Sequence, residues 1–186
     1  MKPYIKTIVL LVFAVLLTLQ VFSQWDSQNA NVRISVPEIA VLDIEPGFND
    51  VEFEIDAPSV AGGEPVVERI SNDPIWINYS SAIRPDGNQR SINAQISSGA
   101  IPAGIAFFIQ ASAPSAFGSE NQGSSVGKVE MSENPRPIIT GIGSCYTGDG
   151  VNMGHELNYI LEISDFTQLQ SEGDKVFTVM YTITED

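Results

Sequence analysis

Apolar side chains in this chain recur at every second position rather than every third or fourth, a period that belongs to strands whose two faces meet different surroundings. Val32, Ile34 and Val36 alternate with Arg33 and Ser35; Val51, Phe53 and Ile55 alternate with Glu52 and Glu54; Leu157, Tyr159 and Leu161 alternate with Glu156, Asn158 and Ile160. All three segments read as half-buried strands. Further runs at Ile39–Ile44, Val66–Ile70, Ile75–Ser80, Ser91–Ile96, Gly104–Ala111, Val126–Met131, Pro137–Ile142 and Lys175–Thr184 are rich in β-branched or aromatic residues and bounded by Gly, Pro, Asn or Asp. Reversals at Gly62-Gly63, Pro85-Asp86-Gly87-Asn88 and Gly148-Asp149-Gly150 separate neighbouring runs. Beyond the N-terminal segment no window carries a helical stripe, and Asp165–Leu169 reads as a single capped turn. Roughly ten or eleven short strands with regular turn signals predict an all-β protein, an antiparallel Greek-key β-sandwich, immunoglobulin-like or related.

The first residues obey a different rule. Lys2 and Lys6 precede an almost unbroken apolar run, Thr7 to Leu19, and Val21-Phe22-Ser23 supplies compact residues for cleavage. This reads as an export signal over 1–23, followed by a flexible leader over 24–30 and one β-sandwich domain over 31–186. The run is shorter than the roughly 20 residues that cross a bilayer, and no cysteine stands at the cleavage position to carry a lipid. The expected location is outside the inner membrane by the Sec route: extracellular, at the cell surface, or periplasmic.

Charge removes whole classes of partner. The chain holds 23 acidic and 9 basic residues, net −14, and losing residues 1–23 takes Lys2 and Lys6 but no acid, so the processed chain stands at −16. Nucleic acid and anionic membrane surfaces both require clustered cations, which are missing. One cysteine and one histidine exclude a disulfide framework, a multi-thiolate zinc site and the multi-histidine catalytic metal sites. No cofactor is expected, with calcium the one ion the residue types allow.

The C-terminal third carries a resemblance. Gly141-Ile142-Gly143-Ser144-Cys145-Tyr146-Thr147-Gly148 leads into a strand, then Phe166–Leu169, then Val176-Phe177-Thr178-Val179-Met180-Tyr181-Thr182-Ile183-Thr184. This resembles the ending of exported bacterial β-sandwich surface families: pilin-like, spore-coat-like and adhesion domains. The resemblance implies an assembly or surface role. The chain departs from the fimbrial pattern in lacking the cysteine pair of many periplasmic pilins.

Several constellations bear on function. Gly123-Ser124-Ser125-Val126-Gly127 matches G-x-S-x-G, with Asp149 and His155 downstream, but a loop precedes the serine and a strand follows, the reverse of a nucleophile elbow. Cys145 and His155 flank a glycine-rich loop, yet Lys and Arg are missing from Gly141 through Ser164, so nothing lowers the thiol's pKa. Cys145 reads as a packed, inert thiol and His155 as a polar strand-edge residue. No enzyme is expected. Asp43, Glu45, Asp50, Glu52, Glu54 and Asp56 form a run without a basic residue, and Glu52, Glu54 and Asp56 share one strand face, where a solvated face or a calcium ion would relieve their repulsion. Asp149, Asn152 and Glu156 make a second oxygen-rich spot. Asn78-Tyr79-Ser80 is a formal glycosylation acceptor inside a strand. Among the aromatics, Trp76, Phe107 and Phe108 read as core, whereas Phe117 sits in a long polar loop, Ala113 to Ser125, as a contact residue.

Two functions follow. The first is a secreted or cell-surface structural or adhesive protein, a pilus or filament subunit that binds protein partners or itself by edge-strand pairing, with Val32, Ile34 and Val36 as the donated face. The alternative is a glycan- or calcium-binding module built on Glu52, Glu54, Asp56 and the loop holding Phe117.

Overall fold

A computed structural model of the chain describes residues 3–18, 29–47, 50–71, 73–171 and 173–186. It divides into two units, Met1–Ser35 and Val36–Asp186. The first contains α1 (Pro3–Thr18), apolar throughout its length after Lys6. No helix among the described residues is long and apolar enough to cross a membrane.

The second unit is all β and antiparallel. One sheet runs β1 (Ile39–Glu45), β4 (Ile75–Ala82), β11 (His155–Ile163), β6 (Ile105–Ala111), β8 (Lys128–Glu130), with β10 (Cys145–Tyr146) sharing the β11 side of β4. A second sheet runs β12 (Thr178–Glu185), β5 (Arg90–Ser98), β9 (Arg136–Ile142), β7 (Ser124–Ser125). A separate hairpin pairs β2 (Phe53–Asp56) with β3 (Val66–Arg69). One 3-10 turn over Phe166–Gln168 is capped by the Asp165 carboxylate, which accepts from Thr167 N–H at 3.0 Å. Non-consecutive neighbours, such as β4 beside β11 and β12 beside β5, mean that the chain crosses between sheets repeatedly.

Both sheets feed one buried cluster. Ile75, Ile77 and Tyr79 of β4, Phe107 and Ile109 of β6 and Leu157 and Tyr159 of β11 meet Ile92, Ala94 and Ile96 of β5 and Ile138, Ile139 and Ile142 of β9. The period of two sets this directly: in β4 the residues between the buried ones, Trp76, Asn78 and Ser80, face the other way. Trp76 is therefore half-exposed on the outer face, not in the core, and Phe108 is turned out beneath the Lys128 ammonium, 4.0 Å from its ring centre, while Phe107 is buried as expected. In β9 the pattern breaks for a structural reason. Ile138 and Ile139 are adjacent and both fully buried, and the register between β5 and β9 shifts at Ile92, opposite Ile139, which puts successive residues on one side.

The segment before β1 corrects the sequence reading. Residues 31–38 form no strand, and Val32, Ile34 and Val36 are 81%, 81% and 76% exposed. The chain is fixed just after it: Glu38 accepts from the Arg90 guanidinium at 2.5 Å and lies 3.4 Å from Arg84. Arg90 is buried, and also donates to Ser81 Oγ at 3.1 Å and to Ile39 O, so one cation ties β5 of one sheet to β1 and β4 of the other. A hydrogen bond with Glu185, together with the two arginines, holds the Glu38 carboxyl below its usual range.

Candidate functional site

Edges come first, because an unpaired strand edge is a binding surface by construction. Among the described residues β12 pairs with β5 alone, and β1 with β4 alone. Their inward side chains, Val179, Tyr181 and Ile183 on β12 and Leu42 and Ile44 on β1, pack against the core but remain half-exposed. β1 closes one sheet and β12 the other, and the two strands approach each other. Both edges thus carry partly buried apolar side chains on their inward faces. This chemistry matches that of the 31–36 segment, which offers three apolar side chains on alternate residues and an unpaired backbone.

Carboxylates gather on the outer face of the first sheet. Alternation along β1 sends Asp43 and Glu45 to the face opposite Leu42 and Ile44, across from Asn78 and Trp76 of β4. The loop after β10 then covers that face. Gly148 and Gly150, at φ +90° and +104°, make the reversal that holds Asp149 between them. Asn78 Nδ2 donates to Gly150 O at 2.9 Å, and Gly154, at φ +66°, passes so near β4 that a Cβ would lie 2.1 Å from Ile77 O. Oxygens of Asp43, Glu45 and Asp149 consequently come within 4.8 Å of one another, the one such triad among the described residues. Three hard oxygen donors with no thiolate or imidazole suit a calcium-type ion.

The sequence-derived ligands stand elsewhere. Glu54 and Asp56 lie on β2 and Glu52 just before it; Glu54 faces Glu68 across the hairpin, and Asp56 faces Val66. Of the second oxygen-rich spot only Asp149 joins the triad. Asn78 is buried with its amide bonded, so it offers no glycosylation acceptor.

Under the loop lies a buried polar chain the sequence did not disclose. His155 opens β11 but is fully buried, not an edge residue. Its Nδ1 lies 2.8 Å from Ser112 O and its Nε2 2.8 Å from the Tyr79 hydroxyl, which also reaches Gln122 O. Burial pushes the His155 pKa down against the opposing pull of the Ser112 and Gln122 carbonyls, and pushes Tyr79 above its usual range. The chain bolts the 112–122 loop to β4. Cys145 is buried and burial raises its thiol pKa, while Ser125 Oγ donates to Ala111 O at 2.6 Å. Both ring nitrogens of His155 are thus engaged by Ser112 and Tyr79 rather than by either nucleophile type. Phe117 projects from the loop, 59% exposed. No family model, curated protein or solved structure matches the chain.

Proposed function

We propose that this chain is a non-enzymatic, exported structural or adhesive subunit, a Greek-key β-sandwich that joins other molecules, copies of itself included, by edge-strand pairing. The observation that carries the reading is the exposure of Val32, Ile34 and Val36, an alternating apolar set outside any strand. In the proposed assembly this segment of one copy lies along the free edge of β12 of another, its side chains entering the flank between β12 and β1. The Glu38 to Arg90 ion pair fixes the root of the donor.

Magnitudes favour strand pairing over a plain apolar contact. Burying three such side chains yields roughly 4.5 to 9 kcal/mol. Association itself costs about 4 to 15 kcal/mol. Side chains alone therefore leave little surplus, and the backbone ladder along β12 has to contribute. Export is supported by Lys2 and Lys6 and the apolar run from Ile8 to Leu17 that follows them.

The test expresses the full coding sequence in an exporting host and compares it with a Val32→Ser, Ile34→Ser, Val36→Ser triple variant by light scattering and negative-stain imaging. Concentration-dependent oligomers or filaments that vanish in the variant, with an unchanged melting temperature, are the expected result. A wild-type protein that stays monomeric, or a variant that assembles equally well, refutes the reading. A second reading, a calcium-binding module, rests on the meeting of Asp43, Glu45 and Asp149.

A further inference from the structure

The loop between β6 and β7 lines a shallow, open cleft of about 510 Å³. Its walls are held in place. Ser115 N–H donates to Gly154 O at 2.7 Å, Ser119 N–H to Tyr146 O at 2.9 Å, and Gly143 N–H to Asn121 O at 2.9 Å. Inside the loop, Gln122 Nε2 donates to Phe117 O at 2.7 Å and Ser119 O at 2.8 Å. Gly118 and Gly123 take positive φ, +93° and +82°, and a Cβ would stand 2.3 Å from Tyr146 O at the first and 2.6 Å from Thr140 O at the second. Backbone thus packs on backbone with no room for a side chain, and together with the Tyr79 and His155 bolt this makes a preformed surface, so a ligand meets little ordering cost.

The lining selects the ligand. The exposed lining is divided about evenly between polar and apolar atoms, with Ser119, Asn121 and Ser124 among the polar residues, Glu120 the one charged residue, and Lys, Arg and His missing from it. An anionic ligand therefore finds a carboxylate and no counter-charge. An apolar ligand would strip water from amides and hydroxyls without replacing their hydrogen bonds. The lining holds one aromatic residue, Phe117, whose side chain is exposed. A ligand with a C–H face for the ring and a rim of neutral hydroxyls for the amides is a sugar.

We propose that this cleft binds a neutral saccharide, one pyranose ring lying on Phe117 and its hydroxyls reaching Ser119 and Asn121. The proposal stands apart from edge-strand assembly, since the cleft residues belong to neither β12 nor the 31–36 segment. The full coding sequence, exported and purified, is titrated with cellotetraose, mannotetraose, galactotetraose and chitotetraose while amide shifts are followed by NMR. One of the four is expected to move amides of 114–124 and Gly141 selectively. Phe117→Ala should weaken that binding about tenfold while Phe117→Tyr keeps it, with melting temperatures unchanged because the ring is exposed. Absence of shifts with all four sugars, or equal binding by Phe117→Ala, overturns the assignment.

Discussion

Asp149→Asn should change the sign of its effect on stability with calcium, and the geometry supplies the size. Three carboxylates with oxygens within 4.8 Å repel when no cation lies between them. In water a pair at that distance costs about 0.9 kcal/mol. Asp149→Asn removes two of the three pairs, and screening at physiological salt roughly halves the gain, leaving about 1 kcal/mol. In chelator the variant should therefore melt about 2 to 4 °C above the wild type. With calcium at a hundredfold its dissociation constant the wild type gains about 2.7 kcal/mol, and the variant, short of one charged donor, gains far less. The order of melting temperatures then reverses. Thermal unfolding followed by circular dichroism, in chelator, in calcium chloride and in sodium chloride of matched ionic strength, reads both halves. Glu54→Gln is the control, because Glu54 faces Glu68 in the hairpin and should leave the calcium response intact. A wild type that melts identically in chelator and calcium, or an Asp149→Asn variant that responds as fully as the wild type, refutes the triad as a cation site.

His155 should make stability fall as pH drops. Its folded pKa lies below the unfolded value near 6.5, so the unfolded chain takes up the proton first, and stability present above that pH is lost on the way down to the folded pKa. His155→Gln should flatten the slope of melting temperature between about pH 5 and 7, and an unchanged slope would show that His155 does not titrate in this way. Ile109→Ala, at a fully buried position, should cost about 2 to 5 kcal/mol by denaturant unfolding, while Ile34→Ala, 81% exposed, should cost nearly nothing in the same assay. An equal loss from both would mean that Ile34 is part of its own domain's core.

What could be read from the sequence, and what could not, divides along a physical line. Alternation in β11 was visible because a strand's inward and outward faces are a local property of the backbone pleat. Asp43 and Glu45 are two apart and share a face for the same reason, but Asp149 joins them only through a loop fixed by Gly148, Gly150 and Gly154, and no local pattern reports that meeting. His155 was misjudged likewise. A histidine opening a strand looks polar and marginal until Tyr79, Ser112 and Gln122 enclose it from distant parts of the chain. The 31–36 segment is the instructive case. Val32, Ile34 and Val36 carry the same alternation as Leu157, Tyr159 and Leu161, yet the latter lie in a strand paired with β6 and the former lie in no strand. Alternation states that a segment suits a half-buried strand; it does not state whose strand partner it takes. A pattern suited to burial, held at 76% to 81% exposure in a chain whose β12 pairs with β5 alone among the described residues, is the physical argument for a partner in another molecule. In the proposed assembly the segment need not be hydrophobic enough to associate by contact alone, because a ladder along β12 would supply direction and register and the three side chains would choose which face turns inward.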